Sequence, residues 1–275
     1  MTGFDVLSGV QGRALDALAT YGVLTVDLMR MAGVGRDPKN LRESLEGLSA
    51  RGLIGRTKAP PFEPGFGRFP HLFWLQPKGA KVLGELRDAP VSVSTGKVTI
   101  TNQLPHLLGI VAAHVACRQW AAESGAVVDF FRADFERGGD FQKGTALPYR
   151  KGEATYSPDA LARLTLPGDP RPAPLVVEVY RGGRKGRLDH FGRKLPELRE
   201  VAETAAVEHW LGGGVRAARF LVIFTDRDMR DAALRTWPDR EAAIWQRFFV
   251  KSLDEVGAFG LNWAQPSGAL VSLFS

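Results

Sequence analysis

The feature that most constrains this chain is a carboxylate inside an apolar run. Glu178 is the only charged residue between Leu175 and Tyr180, in the order Leu-Val-Val-Glu-Val-Tyr. A short run of this composition predicts a β-strand. Burying an unpaired carboxylate is costly or forces it neutral, so a cation, a metal ion or solvent must lie beside Glu178. The run therefore predicts both a strand and a polar site.

The second half of the chain alternates helical and strand patterns around this run. The stretch 136–153, rich in glycine and charge, predicts no regular element. The other elements, in chain order, are a helix over 104–123, strands over 127–133, 156–166 and 175–180, a helical region over 188–210, a strand over 219–224 and a helix over 229–236. The order α-β-β-β-α-β favours an α/β domain over residues 101–275, with helices on both faces of its sheet.

A second acidic residue, Asp159, follows Pro158 on the neighbouring predicted strand. Two carboxylates on adjacent strands can jointly hold Mg²⁺ or Mn²⁺, which are hard ions that prefer oxygen ligands. Pro158-Asp159 and Glu178-Val179-Tyr180 together resemble the PD-(D/E)xK nuclease signature, which implies a restriction-endonuclease-like core. We therefore expect Asp159 and Glu178 to be the metal ligands and the catalytic carboxylates of such a domain.

Tyr180 departs from that signature. Residues i and i+2 of a strand share a face, so the lysine of the signature should stand at position 180, and a neutral phenol cannot supply a cation at pH 7. Lys194, on the following helix, could enter the site as a relocated catalytic lysine. The alternative is a catalytically inactive domain in which Asp159 and Glu178 pair with arginines at the sheet edge. The arginines available for this pairing are Arg163, Arg181 and Arg184.

The first hundred residues have a different pattern of helix, helix, helix and hairpin. Helices are expected over 12–21 and 26–31, and a third begins after Asp37, which can cap it, with Pro38 in its first turn. Gly52 ends this helix, and strands over 53–58 and 71–75 flank a turn-rich segment. The order resembles the winged helix-turn-helix of bacterial regulators. We assign residues 1–100 to such a domain together with its linker.

In a winged helix the third helix enters the major groove of DNA and the hairpin lies along the backbone. The resemblance implies that Asn40 reads adenine edges and that basic side chains contact phosphate. The implied contacts in the first domain are Arg36, Lys39, Asn40, Arg42, Arg56, Lys58 and Arg68. In the second domain, the basic run with glycines suits phosphate binding through Arg181, Arg184, Lys185 and Arg187. The alternative is that these charges are solvated on a module for dimerisation or protein docking.

The net charge, the cysteine count and the apolar runs limit which partners, sites and locations are expected for this protein. The formal net charge of +6 suits a polyanionic partner. The single cysteine, Cys117, excludes an internal disulfide framework and a multi-cysteine zinc site. The sequence has no signal-peptide pattern and no run of about 18 apolar residues, so we expect a cytoplasmic protein without a membrane span.

Short segments along nearly the whole chain resemble the replication-relaxation family. Besides the winged helix, these segments are Leu104-Pro105-His106-Leu107-Leu108, Ser157-Pro158-Asp159-Ala160-Leu161, Val177-Glu178-Val179-Tyr180-Arg181-Gly182 and the tail 256–263. Proteins of that type are associated with plasmids and integrative elements. The resemblance implies a DNA-binding accessory or regulatory protein in plasmid replication, mobilisation or conjugation, with a degenerate nuclease-like domain.

The implied partners are double-stranded DNA, a relaxase or another mobile-element protein, and a second copy of the chain in a homodimer. Two other function classes stay open at this point. One is an active Mg²⁺- or Mn²⁺-dependent endonuclease, and the other is a winged-helix module for protein docking or dimerisation.

Overall fold

The computed structural model describes residues 7–58, 70–91, 104–133, 145–149, 154–181 and 187–274. These residues form a mixed α/β protein. The chain divides into two compact units, Met1–Val111 and Ala112–Ser275, whereas the sequence placed the domain boundary near residue 100. Within the described ranges, no helix combines the length and the apolar character needed to cross a lipid bilayer.

The first unit contains helices and a small antiparallel sheet. In chain order its elements are α1 (Gly9–Tyr21), β1 (Val23–Leu24), α2 (Val26–Met31), α3 (Pro38–Ala50), β2 (Ile54–Lys58), β3 (His71–Leu75) and α4 (Pro77–Arg87). The sheet order is β1-β3-β2. Helix α1 begins earlier than expected, because Ser8 and Gln11 form a reciprocal capping box at its N-terminus.

Helix α3 forms for reasons that are local in the sequence. The Asp37 side chain accepts hydrogen bonds from the backbone N–H groups of Lys39 (2.7 Å) and Asn40 (3.1 Å), and Pro38 occupies the first turn. Three leucines at helical spacing are fully buried, namely Leu41, Leu45 and Leu48. Burying each leucine contributes about 1.5–3 kcal/mol. One face of α3 is thereby fixed to the core, and its polar face stays exposed.

The second unit is built on a mixed seven-stranded sheet. Helix α5 (Leu104–Ser124) begins in the first unit and ends in the second. The elements that follow it are β4 (Val127–Ala133), β5 (Leu147–Tyr149), β6 (Ala154–Tyr156), β7 (Ala160–Leu166), β8 (Asp169–Tyr180), α6 (Arg187–Glu203), α7 (Ala206–Trp210), β9 (Arg219–Phe224), α8 (Arg227–Arg235), β10 (Phe248–Ser252), β11 (Trp263–Ala264) and β12 (Leu270–Val271). The sheet order is β12-β11-β10-β9-β8-β7-β4. Strands β8, β9 and β10 run parallel, and β7 and β11 pair antiparallel at either side of them.

The structure corrects three expectations for this unit. The strand expected over 156–166 is two strands, because Pro158 has no N–H for a sheet ladder and the chain changes partners there. Residues 147–149, expected to be irregular, form β5, which pairs with β6 in a separate hairpin. The predicted order also omitted β10, β11 and β12, since strands of two to five residues carry too little periodicity to be recognised.

Strand β8 lies inside the sheet, between β7 and β9. One hydrophobic core covers the face that carries Val176 and Tyr180, and helix α6 contributes Phe191, Leu195 and Leu198 to it. Glu178 has the same strand parity as Val176 and Tyr180, so it points into this core. The fold therefore places the predicted carboxylate beneath α6.

Candidate functional site

The exposed surface of α3 carries the predicted DNA contacts of the first unit. Arg36, Lys39, Asn40 and Arg42 are all exposed around the first turn of the helix. Within the described part of the chain, none of the three cations forms an ion pair. The N-terminus of a helix also carries a partial positive charge. This turn therefore presents three cations and the Asn40 amide to solvent, beside the capping carboxylate of Asp37.

Arg56 on β2 is engaged within the unit. Its Nη1 lies 3.5 Å from Oε1 of Glu46 on α3, and its Nε lies 3.4 Å from Nδ1 of His71 on β3. An exposed pair of this kind contributes about 0–1 kcal/mol, so a phosphate could compete for the guanidinium. The residues Arg68, Arg184 and Lys185, and the side chains of Lys58 and Arg187, lie outside the described part of the structure.

The three residues predicted for catalysis lie together. Glu178 is 2% exposed. Its Oε2 lies 3.4 Å from Nζ of Lys194 on α6, and its Oε1 accepts a hydrogen bond from the Tyr156 hydroxyl. Asp159, immediately before β7, accepts a hydrogen bond of 2.7 Å from the backbone N–H of Val179. The cation beside Glu178 is therefore Lys194, whereas Arg163, expected as one alternative, pairs with Asp129 at 3.1 Å.

The electrostatics of this cluster follow from its burial. Burial raises the pKa of Glu178 to about 8, and the Asp159 carboxylate acts in the same direction, while Lys194 and the Tyr156 hydroxyl oppose them. Burial by itself would lower the pKa of Lys194, but the carboxylates of Glu178 and Asp159 outweigh it and raise the pKa. The cluster thus combines a carboxyl group that titrates near neutral pH with a permanent ammonium group.

Two tyrosines shape the cluster. The Lys194 ammonium lies 5.7 Å from the centre of the Tyr156 ring. Tyr180, which stands where the nuclease signature has lysine, packs its ring against Phe191 and Phe224, at 5.1 and 5.5 Å between centroids. Burial and the nearby Glu178 charge raise the pKa of Tyr180, and its hydroxyl completes no hydrogen bond of ordinary geometry with the described residues. Position 180 is part of the aromatic core.

The hairpin of β5 and β6 covers the carboxylates, and sequence reasoning missed it. The Tyr149 hydroxyl on β5 donates to Oε1 of Glu197 on α6 at 3.1 Å, and Tyr156 on β6 donates to Glu178. Thr145, just before β5, donates to the Pro158 carbonyl. The prediction of a single strand over 156–166 left no strand with which β5 could pair. The signal that could have found it is Pro158, which interrupts the strand pattern.

The two carboxylates of the cluster are engaged by protein donors. Within the described ranges, no group of three or more histidine, cysteine or acidic residues is placed to hold a metal. Both Glu178 oxygens and one Asp159 oxygen already accept hydrogen bonds from protein donors. Mg²⁺ keeps octahedral oxygen coordination. A metal bound here would compete with Tyr156 and Lys194 for the oxygens of Glu178.

Comparison with known protein families, with characterised proteins and with solved structures gives no match for this chain. The exposed first turn of α3 and the buried cluster of Asp159, Glu178 and Lys194 are therefore the features from which a function can be inferred.

Proposed function

We propose that this protein is a cytoplasmic DNA-binding accessory or regulatory protein of a mobile genetic element, of the replication-relaxation type. Its first unit acts as a winged helix-turn-helix on double-stranded DNA. Its second unit is a restriction-endonuclease-like domain whose carboxylate site is catalytically inactive, and a relaxase or another mobile-element protein is its protein partner. The observation that carries the proposal is the exposed first turn of α3.

The element order of the first unit supports the assignment of α3 as the recognition helix. Helix α3 is the last helix before the β2–β3 hairpin, and β1 pairs with β3 to complete a three-stranded sheet. In winged helices the residues near the N-terminus of the recognition helix contact base edges, while flanking basic groups contact phosphates. We assign Asn40 to the first role and Arg36, Lys39 and Arg42 to the second.

Glu43 and Glu46 lie on the same exposed face of α3 and reduce its positive charge. Glu46 is partly neutralised by Arg56, so Asp37 and Glu43 are the main opposing charges beside Arg36, Lys39 and Arg42. The local balance stays positive. The Glu43 carboxylate also disfavours indiscriminate DNA binding, because it repels a phosphate placed near it while the cations of the first turn attract one.

The burial and the hydrogen bonding of the carboxylate cluster support a catalytically inactive second unit. Catalysis of phosphodiester cleavage by two carboxylates needs them ionised and able to reach a metal ion. In this chain Glu178 is buried, its pKa is raised to about 8 and both of its oxygens accept hydrogen bonds. A fully satisfied buried polar network of this kind fixes the packing of the elements that carry it.

Fluorescence anisotropy with a labelled duplex from the DNA flanking the gene tests DNA binding. Lys39→Ala should weaken binding and lower the slope of log affinity against log salt by about 0.9, because one phosphate contact is lost. Lys81→Ala is the matched control, since Lys81 is an exposed lysine on α4 of the same unit. Affinity of the unaltered protein that does not change between low and moderate salt would refute the proposal.

A metal-dependent endonuclease is the second candidate, favoured by the position of Lys194. A carboxylate pair with an adjacent lysine is the residue set of the PD-(D/E)xK signature, and Lys194 supplies the ammonium that Tyr180 lacks. Activity would require Tyr156 to release Glu178. Nicking of supercoiled plasmid in Mn²⁺, abolished by Asp159→Asn, would favour this candidate over the inactive domain.

A further inference from the structure

Arg219, the first residue of β9, is held against two aromatic rings. Its guanidinium carbon lies 4.9 Å from the centre of the Phe274 ring and 5.9 Å from that of Phe249. The Phe274 ring is itself stacked on Trp120, with 4.8 Å between centroids. Contact with aromatic faces restricts the long arginine side chain and leaves its N–H groups available for hydrogen bonding. Arg219 is therefore an ordered cation.

No acidic group neutralises Arg219 in the described part of the chain. The residue is less than half exposed, yet its guanidinium forms no ion pair or hydrogen bond with the described residues. Burial lowers the pKa of Arg219, and the neighbouring Arg216 acts in the same direction. A partly buried cation beside a like charge costs stability unless an anion accompanies it.

The surrounding side chains add to the positive charge. Nε of Arg216 lies 3.0 Å from Oδ2 of Asp169, and Nη2 of Arg171 lies 3.1 Å from the same oxygen. The Asp169 carboxylate thus pairs with two guanidinium groups. The guanidinium of Arg219 has no acidic partner among the described residues. Arg247 donates to the Ala218 carbonyl at 3.0 Å, but it lies over the Phe220 ring on the opposite face and its charge is balanced by Glu208.

A run of three glycines precedes these arginines in the chain. Gly212, Gly213 and Gly214 have φ angles of 85°, 76° and 67°, a conformation that L side chains rarely adopt. A Cβ atom on any of the three would meet nothing within 4 Å. The run ends two residues before Arg216, and no side chain at these three positions narrows the space beside the backbone there.

The arginines are separate from the carboxylate cluster. Glu178 pairs with Val222 of β9, and Arg219 precedes Val222 by three residues. Side chains alternate along a strand, so Arg219 points to the face opposite to Glu178. A ligand at Arg219 therefore does not involve the site under α6.

We propose that Arg216 and Arg219 form a binding site for a phosphate group at the N-terminal end of β9. The planar fork of N–H groups on each guanidinium matches phosphate oxygens, and the bound anion neutralises the excess positive charge. The phosphate belongs either to the DNA backbone or to a free phosphate compound. The first source rests on the proposed DNA-binding function, whereas the second does not.

Thermal unfolding of the full-length protein in inorganic phosphate tests the site. Phosphate should raise Tm by about 3–5 °C over chloride of equal ionic strength, at a concentration roughly tenfold above Kd. Arg219→Leu should abolish this additional rise. Arg235→Leu is the matched control, because it removes an exposed arginine from the last turn of α8 and should keep the full response. The control also corrects for the general stabilising effect of phosphate on proteins.

An equal phosphate response in Arg219→Leu and in the unaltered protein would overturn the site. If Arg219→Leu does not fold, Arg216→Gln decides the question in the same way, since it removes the second guanidinium. In chloride, Arg219→Leu should melt at or above the Tm of the unaltered protein, because it removes an unneutralised charge. A large drop in chloride with an intact phosphate response would show that the chain itself neutralises Arg219.

The source of the phosphate is decided by duplex binding. With labelled duplex, Arg219→Leu should lower the salt slope by about 0.9 if the site holds a DNA phosphate, and should leave the slope unchanged if it holds free phosphate. A protein that binds no duplex but shows the Arg219-dependent rise in Tm would refute the proposed function and keep the phosphate site. Duplex binding without that rise in Tm would support the proposed function and refute the phosphate site.

Discussion

The substitution Glu178→Gln should make the protein more stable above neutral pH. Glutamine keeps the shape of the side chain, and its carbonyl oxygen can still accept the hydrogen bond from Tyr156. It removes a group whose pKa rises from its ordinary value of 4.5 to about 8 on folding, chiefly through burial. The folded state therefore holds this proton more tightly than the unfolded state does.

The sign of the effect follows from proton linkage. A raised pKa contributes stability that is fully present below about pH 4.5 and is lost as the pH rises through 8. At about 1.4 kcal/mol for each pH unit, the loss between these limits is at most about 5 kcal/mol. Glutamine does not titrate, so the variant should lack this loss. The free energy of unfolding of the variant should therefore exceed that of the unaltered protein by an amount that grows from pH 5 to pH 8.5.

Urea unfolding at pH 5, 7 and 8.5 measures this difference. Glu241→Gln, at an exposed position of the same unit, is the control and should follow the unaltered protein at every pH. The reasoning is wrong if Glu178→Gln loses stability with rising pH as steeply as the unaltered protein. It is also wrong if the variant is the less stable one at pH 8.5, because the pair with Lys194 would then outweigh the burial of the charge.

Three further predictions concern single side chains. Asn40→Ala should reduce discrimination between target and unrelated duplex by about 1–3 kcal/mol without changing the salt slope, and an unchanged preference in competition binding would remove Asn40 from the recognition surface. Leu45→Ala should cost about 2–5 kcal/mol in chemical unfolding because Leu45 is fully buried on α3, and a smaller loss would mean that this core relaxes around the cavity. Tyr156→Phe should free one oxygen of Glu178 and raise Mn²⁺ uptake in calorimetry above that of the unaltered protein, whereas equal uptake would show that the hydroxyl is no obstacle to a metal.

The sequence by itself determined the elements whose causes are local. The Asp37 cap, Pro38 and the spacing of three leucines define α3 within fourteen residues, and the structure has the helix where they place it. The apolar run of β9 and that of β4 likewise predict the bounds that the structure shows. Hydrogen bonds inside one helix and alternation along one strand depend on neighbours in sequence, so pattern alone can find them. The same local reading identified Glu178 as a buried charge in need of a partner.

The tertiary structure decided which groups meet. Lys194 reaches Glu178 because α6 packs over β8, and Tyr156 reaches it because the chain changes partners at Pro158 and forms the β5–β6 hairpin. The contact of Arg219 with Phe274 depends in the same way on where the end of the chain lies. Such contacts are set by strand register and helix packing, which the sequence specifies only through the sum of many weak interactions. That is why the sequence could place a charge at position 178, and only the fold could show what neutralises it.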